Sequence, residues 1–139
     1  MRRFIFIAVV LVVAFVGTTM YCGQVGMGRA ASAAKSPEGT VKAAVMALEQ
    51  RDPAALTPCF TPIPGSVMAG RLMTMFVNME SLEIQNLQAV VVLNEGVGAK
   101  VRADYDMVFS TRGYINTEHR SRTLKLVRID GLWYINEPF

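Results

Sequence analysis

Hydrophobic periodicity changes at Glu80, and this change restricts the chain to helices first and an antiparallel sheet second. Upstream, apolar residues recur at helical spacing. Downstream they alternate, with β-branched and aromatic residues enriched, as on half-buried strands. Ser36-Pro37-Glu38 supplies an N-cap, a proline suited to the first helical position and an acid near the positive end of the helix dipole. Val41, Ala44, Val45 and Leu48 then mark one apolar face of a helix ending near Gln50. Asp52-Pro53 opens a second, short helix over residues 54–60. Thr61-Pro62-Ile63-Pro64-Gly65 reads as too rich in proline to be helical, so the third helix is expected from Ser66. Met68, Leu72, Met75, Phe76 and Met79 form its stripe.

Three turns divide the second half. Asn94-Glu95-Gly96 and Thr111-Arg112-Gly113 read as three-residue loops closed by a glycine, and Asp130-Gly131 as a two-residue turn. The expected strands are 82–93, 97–110, 114–129 and 132–137, each the antiparallel neighbour of the next. Three-residue closure sets Leu93 opposite Val97 and Phe109 opposite Ile115, so odd-numbered residues share the buried face of the first three strands. That row holds Val101, Ala103, Tyr105, Met107 and Phe109, then Ile115, Thr117, His119 and Ser121. The solvated row holds Lys100, Arg102, Asp104, Asp106, Glu118, Arg120 and Arg122. In this register Tyr105 meets His119 on an apolar wall, with Thr117 and Ser121 beside them. The pair is then either a buried, mutually satisfied hydrogen bond or the polar floor of a ligand pocket. Leu82 and Ile84 have the opposite parity, which predicts a bulge near Gln85 and Asn86. The last turn sets Ile129 against Leu132 and Val127 against Tyr134.

The first 22 residues read as an export signal or anchor. Arg2 and Arg3 precede thirteen consecutive apolar residues, 4–16, the layout of a secretory signal or signal anchor with its basic end in the cytoplasm. Residues 1–22 are therefore expected to be a signal anchor or signal peptide, contacting the membrane through residues 4–21 as a membrane helix. Three fates are open: a retained anchor, lipidation at Cys22, or cleavage near Ala31-Ser32-Ala33. Each places the rest of the chain on the extracytoplasmic side, periplasmic or at the cell surface. Residues 23–35 are small and mostly uncharged, a flexible tether, and residues 36–139 form the folded domain. The formal net charge of +3 is carried by Arg2, Arg3 and Arg29, so residues 35–139 are neutral and no nucleic-acid partner is expected.

Chemistry-bearing clusters are few. The methionine stripe raises the question of soft-metal binding, but it is interleaved with Leu72 and Phe76 and has no His or Cys beside it, so it reads as core and no metal or cofactor is expected. Cys59 stands alone in the domain and reads as a small buried hydrophobe. In the expected register the inward row holds no carboxylate, and no Ser-His-Asp or Cys-His arrangement is visible. A base is left to enter from a loop or from Glu80 and Glu83.

The helix opening Ser-Pro-Glu-Gly-Thr-Val, the second helix Arg-Asp-Pro-Ala-Ala-Leu and the closing Asp-Gly-Leu-Trp-Tyr-Ile together resemble the nuclear transport factor two-like (cystatin-like α+β) superfamily over residues 36–139. The resemblance implies an α+β fold in which three N-terminal helices pack in the concave face of a bent four-stranded meander, forming a cone with an apolar pocket. It adds Trp133 and Tyr134 of the final strand to Tyr105, His119, Thr117, Ser121, Met107 and Phe109 as pocket candidates. The fold hosts both enzymes and binding modules. The missing inward acid gives the expectation of a non-catalytic, membrane-tethered module that binds a small apolar ligand, an envelope protein partner or a second copy. The alternative is an isomerase- or hydrolase-like enzyme using a polar group of the pocket.

Overall fold

The computed structural model describes residues 33–139. The expected membrane segment, the lipidation candidate Cys22 and most of the expected tether lie outside the described residues. The helices are α1 (Pro37–Glu49), α2 (Pro53–Leu56) continued by a 3-10 turn (Thr57–Cys59), and α3 (Pro62–Phe76). The strands are β1 (Ser81–Asn94), β2 (Gly98–Thr111), β3 (Tyr114–Ile129) and β4 (Leu132–Ile135), in one antiparallel sheet ordered β1-β2-β3-β4. The domain is α+β with three helices and a four-stranded meander. Among the described residues, no helix is long and apolar enough to cross a membrane.

Local chemistry explains the helix starts. The Ser36 hydroxyl accepts from the Gly39 amide at 3.1 Å, and the Asp52 carboxylate accepts from Ala54 and Ala55 at 3.0 and 3.2 Å. α3 begins at Pro62, four residues earlier than expected from Ser66. Pro62 and Pro64 both fall in its first turn, where backbone N–H groups have no helical acceptor, so two prolines cost nothing there. The first intrahelical bond is made by Gly65, whose amide donates to Thr61 O at 2.9 Å.

The register of the central hairpin differs from expectation by one residue. Thr111 pairs with Tyr114, leaving a two-residue turn of Arg112 (φ +52) and Gly113 (φ +80). Two successive left-handed residues form the turn whose twist matches that of paired strands. Tyr105 therefore lies opposite Arg120, and His119 lies opposite Asp106. A one-residue shift moves a whole strand's side chains to the other face. Thus Glu118, Arg120, Arg122, Leu124 and Leu126 join the inner row, and Ile115, Thr117, His119 and Ser121 lie on the outer one. The first hairpin also departs from the expected pairing: Leu93 lies opposite Lys100 and Asn94 opposite Ala99, after an irregularity between Val91 and Leu93. The bulge expected near Gln85 and Asn86 is present, with Asn86 at φ +55, and it lets Leu82 and Ile84 face inward opposite Phe109 and Met107. Ile129 pairs with Leu132 and Val127 with Tyr134, as expected.

The core lies between α1 and the inner face of the sheet. Val41, Ala44, Val45 and Leu48 are buried together with Val101, Ala103, Leu124, Leu126 and Ile135. The Thr40 hydroxyl, buried in the same layer, lies 3.2 Å from Trp133 O and 3.1 Å from Ser36 O, so it is not left unpaired. The outer edge of β4 is covered. Trp133 N donates to Ala34 O at 2.8 Å, which ties the last part of the expected tether to the sheet, and Thr61 N donates to Ile135 O at 3.0 Å.

Candidate functional site

Helical cover of the inner face is partial, and the site lies where it stops. Leu124 and Leu126 of β3 are buried, whereas its residues 114–123 are exposed even where they face inward. α3 packs on α2 and the 3-10 turn. A Cβ at Gly65 would lie 3.3 Å from Thr57, so glycine permits this close approach. Between α3 and the inner rows of β2 and β3 an open cavity of about 230 Å³ remains.

Its apolar wall comes from Leu48 of α1, Met68 and Leu72 of α3 and Met107 of β2. Its polar groups are Tyr105, Arg71, Arg120 and Arg122. Tyr105 is 4% exposed. Burial raises its phenol above the ordinary value of 10.0; the nearby charges of Arg120 and Arg122 oppose that shift, and Glu118 adds to it. The Arg120 guanidinium donates to the Glu118 carboxylate at 2.9 Å. Arg71 Nη1 donates to the oxygen of Phe139, the last residue of the sequence, at 3.4 Å, and the Arg122 guanidinium has no hydrogen-bond or ion-pair partner among the described residues.

Among the residues expected to line a pocket, Tyr105 and Met107 do so. Phe109 is half-buried against the core, and Trp133 is 4% exposed in that core with the Arg128 guanidinium 5.9 Å from its ring centre. Tyr134 is half-buried and shares the outer row with its partner Val127. Thr117, His119 and Ser121 are outer-face residues, so the expected Tyr105–His119 pair does not exist. Instead, His119 Nδ1 lies 2.7 Å from Asp106 Oδ1, and Asn86 Nδ2 donates to Asp106 Oδ2 at 2.8 Å. Ser121 Oγ donates to Asp104, whose other oxygen accepts from Arg102 Nε at 3.1 Å. These bonds hold both carboxyls below the usual aspartate value, Asn86 contributing most at Asp106 and Ser121 most at Asp104.

Sequence reasoning missed Arg71, Arg120, Arg122 and Glu118. For the three β3 residues the signal was Leu124-Lys125-Leu126: the expected register sends Lys125 into the core and both leucines to solvent, a contradiction that a shift of one removes. Cys59 is only half-buried, although burial pushes its thiol up to about 11; its Sγ lies 3.6 Å from Ala55 O.

No family model and no curated protein matches the sequence. Solved structures do. A proposed aromatic ring hydroxylase from Novosphingobium aromaticivorans superposes with a TM-score of 0.63 at 17% identity, covering 70% of this chain and 80% of that one. A ketosteroid isomerase-like protein from Erwinia carotovora atroseptica gives 0.61 at 15% identity, over 73% of this chain and 88% of that one. A proposed scytalone dehydratase from Novosphingobium aromaticivorans gives 0.56 at 13% identity, over 70% and 75%. The fold of the domain is the nuclear transport factor two-like fold expected from the sequence. The expectation of a non-catalytic module is corrected. Its premise was an inner row without a carboxylate, and Glu118 stands on that row. The neighbours are also named for hydroxylation, isomerisation and dehydration, although what they share with this chain is the fold.

Proposed function

We propose that the domain is an enzyme that moves a proton at carbon next to a carbonyl group, with isomerisation or loss of water as the outcome. The observation that carries this reading is the inner-row cluster of Tyr105, Glu118 and Arg120, in which the tyrosine and the arginine line the cavity and the arginine holds the glutamate. Glu118 is the base: its carboxylate takes a proton from the carbon adjacent to the carbonyl. The electron pair moves onto the carbonyl oxygen, and the Tyr105 phenol, kept protonated by burial, donates to that oxygen as its charge develops. In a substrate with a double bond between the β and γ carbons, Glu118 returns the proton to the γ carbon as the double bond moves into conjugation. Where the β carbon carries a hydroxyl instead, Glu118 gives the proton to that hydroxyl, which leaves as water. Arg120, which lines the cavity, acts through Glu118, fixing its carboxylate with a 2.9 Å bond. The names of two fold neighbours, an isomerase-like protein and a proposed dehydratase, support this class of chemistry.

Hydrogen isotope exchange tests the reaction class before any substrate is known. A panel of small carbonyl compounds is incubated with the protein in heavy water and followed by NMR. Exchange at the carbon beside the carbonyl, lost in Glu118→Gln and strongly reduced in Tyr105→Phe, is the expected result. Exchange that survives both substitutions overturns the assignment.

The proposal extends to location. Arg2 and Arg3 ahead of the apolar residues 4–16 support a membrane-held domain on the extracytoplasmic side.

A further inference from the structure

We infer that the molecule bound in this cavity is an organic anion, an apolar body carrying one carboxylate- or sulfonate-like group, held by Arg122 with Arg71 across the cleft. This rests on the reading of the cavity as a small-molecule site and adds the charge of what occupies it. Three guanidinium groups line the cavity. One is engaged by Glu118 and one makes a long 3.4 Å bond to the oxygen of Phe139, the last residue of the sequence, while the Arg122 guanidinium has no partner among the described residues. Three arginines thus line a cavity that, among the described residues, no Asp or Glu side chain lines.

The excess is a product of sorting across the sheet. On β2 the acids Asp104 and Asp106 belong to the outer row, where Arg102, Ser121 and His119 satisfy them. On β3 Arg120 and Arg122 belong to the inner row, two residues apart on the same face. Glu118 offsets the charge of Arg120, and an anion at Arg122 does the same for the guanidinium that is left without a partner. A guanidinium offers paired donors that match the two oxygens of a carboxylate or sulfonate. The surrounding Leu48, Met68, Leu72 and Met107 supply nothing polar, so the rest of the ligand is apolar.

Two fluorescent probes of nearly the same shape separate charge from greasiness: anilinonaphthalene sulfonate, which carries one negative charge, and N-phenylnaphthylamine, which carries none. The full chain is expected to bind the sulfonate about tenfold more tightly than the amine, and added salt is expected to weaken only the sulfonate. Arg122→Gln is expected to weaken the sulfonate about tenfold and leave the amine within about twofold, with Arg122→Lys falling between. Arg122 is exposed, so its replacement leaves the fold intact, and an unchanged thermal melt verifies that. Equal binding of both probes, or sulfonate binding that ignores Arg122→Gln, overturns the anion assignment and leaves the cavity standing as an apolar site. Binding of neither probe overturns the cavity reading as well.

Discussion

Tyr105 lies directly opposite Arg120 across the β2–β3 ladder. A buried phenol therefore has a guanidinium as its cross-strand neighbour, and that guanidinium holds Glu118. The hairpin turn at Arg112-Gly113, seven residues from Tyr105, decides this pairing, because a turn one residue longer would place His119 there. Turn chemistry thus sets the chemistry of the cavity wall.

Removing only the Tyr105 hydroxyl tests its role. Tyr105→Phe keeps the buried ring, so the change in stability should stay within about 1 kcal/mol, while any proton exchange catalysed by the domain should fall about a hundredfold. The pH dependence has a defined sign. The folded-state pKa is raised above 10.0, so the phenol's contribution to stability is fully present below pH 10 and is lost as pH rises through the folded value. Spectrophotometric titration should find one tyrosine ionising later than an ordinary phenol, and that transition should vanish in Tyr105→Phe.

Trp133 is 4% exposed on the short closing strand, packed with Ile135 in the core and capped by Arg128. Its main-chain oxygen also receives the buried Thr40 hydroxyl. Trp133→Ala should cost about 3 to 5 kcal/mol in denaturant unfolding, since the cavity it leaves cannot close around that frame. A loss below about 1 kcal/mol would show that the indole contributes little to the core.

The basic residues Arg2 and Arg3 followed by residues 4–16 give a topological prediction. A reporter active only in the cytoplasm, fused after Phe139, should stay silent, and one that matures only after export should be active. The reverse pattern would reject the extracytoplasmic assignment.

Much of the fold was legible because its signals are local. Ser36 and Asp52 announce their helices by capping, and all four strands occur where alternation and turn residues placed them. The bulge at Asn86 was legible from two apolar residues of the wrong parity, Leu82 and Ile84. The cavity wall was not, because it depends on whether Thr111 belongs to the loop or to the strand. Arg112 takes a left-handed conformation that a non-glycine residue adopts less readily, and its identity gives little warning of that. From that single residue the error spread along β3, moving Arg120 and Arg122 to the solvent side and His119 into the cavity. Lys125, set between Leu124 and Leu126, was the available evidence for the correct parity. The start of α3 is hidden differently: two prolines signal a break in most of a helix, but the first helical turn, where Pro62 and Pro64 stand, tolerates them.

The outer-face network makes an opposite prediction about pH. Asp106 accepts from Asn86 and lies against His119, while Asp104 accepts from Ser121 and Arg102. Both folded-state pKa values are lowered from 3.8, so the stability these carboxylates contribute is present above that value and is lost as pH falls through the folded values. Both face solvent, which keeps the contribution small and sensitive to salt. Asp104→Asn with Asp106→Asn should be less stable than the parent chain at neutral pH, and the difference should shrink once pH drops below about 3.8. Denaturant midpoints measured across the acid range give this directly, and a difference that stays constant would mean the carboxylates are not the source. Asn86→Gly separates the partners, because glycine keeps the left-handed backbone at φ +55 and removes only the side-chain donor. Carboxyl titration by NMR should then show Asp106 moving back toward 3.8 by more than it does in His119→Gln, since Asn86 is the larger cause of its shift.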